Sequence, residues 1–305
     1  MSLAEIITGL RNDDGDLPDS SLVELSELDS EEMALLAQSW DDIAPERRSI
    51  IVSRLIEMAD RNVTLNFHAV FNHCLGDTHA EVRKEAVRGL WECEKTSLIE
   101  PLIGLLEEDP SEAVQVEAAR TLGRFALLVE NGTIASEYTS RIAHTLLNIT
   151  DDSTRPMDVR RHALEAVAPL SLPEVKTAIG DNYLSRDDRL RISSVRAMGG
   201  SCDLSWLPVL LRELGSADAE MRRKVVESLG EIEDKDTVPQ LAELIYDDDI
   251  EVRLATIHAL GSIGGAEASE CLKLCLDDPN EAVSQAAEEA LQELANREGM
   301  SSFLI

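Results

Sequence analysis

Aromatic residues are scarce in this chain: Phe, Trp and Tyr together supply ten of its 305 residues, 3% of the sequence. Base-stacking platforms and aromatic-rich β-sandwich cores need more ring surface than that, so the core must be aliphatic. Positive charge is scarce too. Twenty-eight Lys and Arg stand against 59 Asp and Glu, a formal net charge of −31. A phosphate backbone demands clustered cations, which disfavours nucleic acid as a partner. No segment reaches the run of about 18 uncharged apolar residues that a membrane span requires. Residues 1 to 10 include Glu5 and no basic stretch ahead of an apolar run, unlike a secretory leader. Cysteine is rare and odd in number: Cys74, Cys93, Cys202, Cys271 and Cys275 do not make the even set of an exported disulfide framework. These absences together predict a soluble cytoplasmic protein with free thiols and no membrane contact.

The chemical motifs of catalysis are missing as well. The sequence has no Ser nucleophile elbow, phosphate-binding loop, Gly-rich dinucleotide turn or Cys-x-x-Cys. Cys271 and Cys275 lie one helical turn apart and could share a face, and His68, His73, Cys74, His79 and Cys93 cluster along the chain. Cys275, however, aligns with Leu106 and Leu244 of other segments and reads as a core residue. No metal site and no cofactor are expected, and a non-enzymatic role is favoured.

What the sequence does contain is a repeat. An acidic residue, x, Val, Arg, x, x, Ala, x, x, x, Leu, Gly recurs, most plainly as Glu251, Val252, Arg253, Ala255, Ala259, Leu260 and Gly261. The anchor apolar residue falls at Val82, Val114, Val159, Leu190, Met221, Val252 and Val283, and the last five are spaced 31 residues apart. The longer step from Val114 to Val159 implies an insertion near 129–139, around Asn131 and Gly132. A degenerate first copy is expected at Glu46 to Leu55, with Arg47, Ile51 and Leu55 near the repeat positions.

Each period divides into two helices. Upstream of the anchors, Leu98, Leu102, Leu105 and Leu106, or Leu207, Leu210, Leu211 and Leu214, keep three-and-four spacing. Pro101, Pro208 and Pro239 each stand 13 residues before their anchor, suited to a first helical turn. Acidic turns such as Glu108 to Ser111 supply caps for the second helix, and Gly123, Gly230 and Gly261 are expected to end it. A two-helix unit of this length cannot cover its own apolar faces and must stack on its neighbours, so the fold class is all-α, a solenoid of about eight helix pairs. Residues 1–41 hold most of a strongly acidic stretch: by residue 42 there are 12 Asp and Glu against one Arg. Leu22, Leu25, Leu28, Met33, Leu35 and Leu36 suggest that part of it folds as a helical cap over the first repeat. The solenoid proper is expected over 42–296, with 297–305 as a tail ending Phe303, Leu304, Ile305.

The anchors and the Leu-Gly step resemble the HEAT repeat superfamily, and the short period is most similar to the PBS lyase HEAT-like repeat. The resemblance implies a right-handed α-solenoid and a scaffold or adaptor role, with another protein as partner. The alternative it implies is a bilin-lyase-like or other cofactor-handling subunit acting on a partner protein. Deoxyhypusine hydroxylases, also relatives, hold di-iron through His-Glu pairs, and here none of the six histidines is followed by Glu. In such repeats the arginine after the anchor, here Arg83, Arg160, Arg191, Arg222 and Arg253, resembles a rung of an inter-repeat ladder. Its turn carboxylates would be Asp77, Asp109, Asp247 and Asp278, six residues before the arginine position. The second helices would line the concave face. On it the resemblance places Lys84, Arg88, Arg120, Arg161, His162, Arg196, Arg223, Lys224 and His258, interspersed with Glu85, Glu117, Glu165, Glu227 and Glu289. That concentration of cations in an acidic chain predicts a groove for an acidic peptide, helix or anionic ligand.

Overall fold

The 31-residue recurrence in the sequence is a recurrence of helix pairs. The computed structural model describes residues 3–11 and 18–301, with side chains through Arg297. Asp13, Asp14 and Asp16 of the acidic stretch, and Phe303, Leu304 and Ile305 of the expected tail, lie outside the described residues. Eighteen α-helices and no strand occur among the described residues, and the chain is an all-α solenoid. It divides into two compact units, residues 1–166 and 167–305.

In the first unit, α1 (Leu3–Leu10) and the single turn α2 (Asp19–Leu22) precede four pairs. These are α3 (Ser30–Trp40) with α4 (Pro45–Arg61), α5 (His68–Cys74) with α6 (Ala80–Gly89), α7 (Ile99–Glu108) with α8 (Glu112–Glu130), and α9 (Thr139–Asp151) with α10 (Met157–Val167). The division between the units falls inside α10. First helices touch first helices, α3 on α5 and α7 on α9, while α4, α6 and α8 pack in series as a second layer. The first pair begins at Ser30, inside the stretch expected to be only a cover. Ahead of it, Ile6, Ile7, Leu10, Leu22 and Leu25 are all buried, and Arg47 Nε donates to the Leu10 carbonyl at 2.9 Å. The extra residues between the Val114 and Val159 anchors lengthen α8 to 19 residues and add the Asn131–Gly132 turn, where Gly132 takes φ 71°.

The second unit holds α11 (Pro173–Tyr183) with α12 (Asp188–Gly200), α13 (Leu207–Glu213) with α14 (Ala219–Ile232), α15 (Val238–Glu243) with α16 (Ile250–Ile263), and α17 (Gly265–Leu274) with α18 (Glu281–Ser301). Each first helix lies on its partner, and α12, α14, α16 and α18 pack in series. The seven anchors are all buried at 4% exposure or less, so one apolar position per period sits between the two layers. Burying a Val, Leu or Met side chain contributes roughly 1.5–3 kcal/mol, and each period commits one such residue to this position. Pro208 and Pro239 occupy the first turns of α13 and α15, where their missing N–H costs nothing. Asp187, Asp218 and Asp249 cap α12, α14 and α16 by accepting backbone N–H bonds. The last five residues of α18 extend helix into the stretch expected as tail.

The repeat glycines do not end their helices. Gly123, Gly230 and Gly261 lie inside α8, α14 and α16, Gly123 seven residues before the last helical residue and Gly230 and Gly261 two residues before it. A Cβ on Gly230 would meet Ala259 Cα at 3.0 Å, one on Gly261 would meet Ala290 Cβ at 3.2 Å, and one on Gly199 would meet Ser228 Cα at 2.7 Å. These glycines let neighbouring second helices touch backbone to backbone. Chain reversal falls instead at Cys202, Glu233 and Gly264, with φ of 49°, 57° and 67°, again 31 residues apart.

Candidate partner-binding face

Two sets of side chains were singled out by the repeat register, and the structure treats them differently. Arg83, on the buried side of α6, reaches forward to the next acidic turn. Its Nε and Nη2 meet both oxygens of Asp109 at 2.6 and 2.8 Å, and its Nη1 donates to the Asp77 carbonyl at 2.7 Å. Arg222 repeats the geometry, with two bonds of 2.7 Å to Asp247 and one of 2.8 Å to the Ser216 carbonyl. Arg253 donates to Asp278 at 2.8 Å through Nη1, while its Nε is buried without a partner. Planar bidentate contact of this kind is the strong form of the ion pair. It raises the Arg83 and Arg222 pKa values and holds the Asp247 carboxyl below the usual carboxylate range, in each case first through the side-chain hydrogen bond. The carboxylates also order the turns, each accepting the backbone N–H two residues on, as Asp77 does from His79 and Asp278 from Asn280.

Asp77 has a partner the sequence register missed. Arg48 Nη1 lies 2.7 Å from Asp77, and the Trp40 indole N–H donates to the same oxygen at 2.8 Å. Because a cation, Arg47, holds the anchor slot of the first pair, no apolar residue marked the register there, and the step from Arg48 to Asp77 is 29 residues where the other clamps span 25 or 26.

Arg160 and Arg191 have no such clamp. Arg160 Nε donates to the Thr150 carbonyl at 2.9 Å. Arg191 pairs with Asp188 of its own helix at 3.2 Å and stands 3.9 Å from Glu213. The residue 25 positions on from each arginine is an aspartate for Arg222 and Arg253 and a serine, Ser185 or Ser216, for Arg160 and Arg191. Where the register has Gln115 instead of arginine, its amide donates to the Asp109 carbonyl at 2.5 Å.

The second set does not form a cationic stripe, because most of its members are neutralised within their own helix. Lys84 is 2.5 Å from Glu81, Arg88 2.8 Å from Glu85, Arg120 3.1 Å from Glu117, and Arg161 2.7 Å from Asp158. Arg223 and Lys224 share Glu227 at 2.6 and 2.7 Å. All are spaced three or four residues apart, the neighbour distance on a helix. His162 is buried at 6% exposure. Its Nδ1 faces the Asp158 carbonyl at 2.7 Å and its Nε2 faces Arg120 at 2.9 Å, an arrangement that fits a neutral ring donating from Nδ1. Burial chiefly, with Arg161 and Arg120 nearby, lowers its pKa below 6.5. Arg196 and His258 are exposed on α12 and α16.

Two adjoining grooves run along the second helices of the second unit. One, of about 560 Å³, lies between α14 and α16 over Gly230, Ala255 and Ala259. The other, of about 470 Å³, lies between α16 and α18 over Gly261, Ala286 and Ala290; His258 and Ser262 border both. The close glycine–alanine contacts leave these floors without bulky side chains. Glu251, Glu289 and Glu293 stand on the walls. Among the described residues no group of three or more His, Cys, Asp or Glu could hold a metal ion, and no helix is long and apolar enough to cross a membrane. Cys275 is buried at 4%, its thiol directed to the Cys271 carbonyl at 3.6 Å.

Residues 69–135 and 207–292, half of the chain, match the HEAT repeats family, and the chain belongs to it. No curated protein matches it at a significant level. Among solved structures it is similar to the complex of CpcE and CpcF of phycocyanin lyase from Nostoc sp., with 15% identity, TM-score 0.56, and 93% of this chain and 97% of that one covered. It is also similar to Kap95p in its complex with RanGDP, with 14% identity, TM-score 0.52, and 96% and 45% covered. At these identities the likeness is one of fold.

Proposed function

We propose that the chain is a non-enzymatic scaffold that binds another protein along the face of its second helices. The observation that carries this reading is the pair of solvent-open grooves floored by Gly230, Ala259, Gly261 and Ala290, a helix face that no part of the described chain covers. Grooves between helices are a recurrent seat for a partner's helix or extended segment. HEAT repeat proteins whose solved structures share this fold are held in protein complexes, CpcE with CpcF and Kap95p with RanGDP. The five free thiols suit a reducing compartment such as the cytoplasm.

The test is affinity capture with wild type and with Ser262→Trp, a substitution at an exposed position bordering both grooves. A protein captured by wild type and lost from the variant, at unchanged thermal stability, supports the reading. An identical set of captured proteins overturns it. A coloured ligand co-purifying at stoichiometric level would favour the cofactor-handling alternative instead.

A further inference from the structure

We infer that the grooved face of the second unit docks a basic segment, a Lys- and Arg-rich helix or extended strand of its partner; this rests on the partner-binding reading above. The sign of the charge left over on that face decides it. Its cations are committed: Arg223 and Lys224 to Glu227, and Arg297 to the carbonyls of Gly261 and Ser262. Its exposed carboxylates are not. Glu233, Glu251, Glu289 and Glu293 enter no ion pair among the described residues, and Glu289 accepts only from the Gln285 amide, at 2.8 Å.

Charge also excludes the other occupants. A second copy of this chain carries −31, and its own acidic N-terminal stretch is anionic, so both are repelled. The floor accepts methylene stems, since Gly230, Ala255, Gly261 and Ala286 offer apolar surface without bulk, while the carboxylates rim it. Lysine and arginine present that combination, an apolar stem and a cationic head.

The test measures fluorescence anisotropy of a labelled 18-residue amphipathic helix with Lys and Arg on one face and Ala and Leu on the other, beside the same helix with Glu for each cation. Three proteins are compared. They are wild type, the groove variant Glu251→Lys/Glu289→Lys/Glu293→Lys, and the charge-matched control Glu174→Lys/Glu243→Lys/Glu270→Lys, whose changes lie on the exposed sides of α11, α15 and α17. The expected result is binding of the cationic helix to wild type, tenfold or more weaker in the groove variant and less than threefold weaker in the control. Equal loss in both variants means that only the overall charge attracts the peptide, and it overturns the inference. Preference for the Glu-bearing helix overturns it as well. The two readings fail separately: if Ser262→Trp removes the captured partner while the groove reversals leave its binding unchanged, the face is right and the basic partner is wrong.

Discussion

The clamped and unclamped steps of the repeat make a comparison within one molecule. Between the first three pairs, and again along the last three, an arginine on a second helix grips the aspartate of the following turn: Arg48 with Asp77, Arg83 with Asp109, Arg222 with Asp247, Arg253 with Asp278. In the middle of the chain Gln115, Arg160 and Arg191 hold only carbonyls or nearby carboxylates. The anchors Val114, Val159 and Leu190 are nonetheless buried there, at 0, 0 and 4% exposure. Apolar burial alone is thus enough to maintain the pairs, and the clamp is an addition that fixes the turn. Burying charge has its own desolvation cost, so a clamp stabilises only when both partners are present and well aligned.

The largest effect should come from breaking one clamp. Asp109→Ala leaves Arg83 buried without its carboxylate and should cost about 3 kcal/mol in urea unfolding, whereas Arg160→Ala, losing a single carbonyl bond, should cost about 1 kcal/mol. Equal costs would mean that the clamp adds nothing beyond the turn carbonyl. Next, Ser216→Asp should supply Arg191 with the carboxylate its neighbours have and raise stability by about 1 kcal/mol, with the gain abolished in an Arg191→Gln background. Smaller again is Glu233→Gly: relief of a left-handed backbone, partly offset by the freedom glycine has when unfolded, should yield about 0.5 kcal/mol.

Acid should expose the difference between the regions. The folded pKa of His162 lies below 6.5, so the unfolded chain takes up more protons there, and stability should decline as pH falls from 6.5 through the folded value. Asp247, whose folded pKa is also lowered, contributes stability above the ordinary carboxylate range that is lost only at lower pH. His162→Gln should therefore remove the loss that begins near neutrality and leave the more acidic one, as read from urea midpoints across the pH series.

Much of the architecture was legible because one buried apolar residue per period, spaced at 31, survives as Val, Leu or Met without losing its place. The first pair was harder. Arg47 fills its anchor slot and is itself buried, tied to the Leu10 carbonyl, so the expected hydrophobic mark was absent. The glycines misled because Leu-Gly late in a helix has the same local pattern whether the chain is about to turn or a neighbour is pressing close; only the Ala259 and Ala290 contacts distinguish the two. The charge left over on the grooved face was less legible: Arg223 and Lys224 share Glu227 at separations the sequence displays, but which carboxylates stay outside any ion pair depends on side-chain placement.

The identical offsets in the second unit have an evolutionary and engineering corollary. Gly199 faces Ser228, Gly230 faces Ala259, and Gly261 faces Ala290, each 29 residues ahead, while the left-handed turns recur at Cys202, Glu233 and Gly264. Cutting the gene at two successive turns would excise or duplicate one whole module, with every surviving glycine still meeting a small residue on the next helix. Length in this part of the molecule is accordingly a variable that recombination can change without redesigning a single interface.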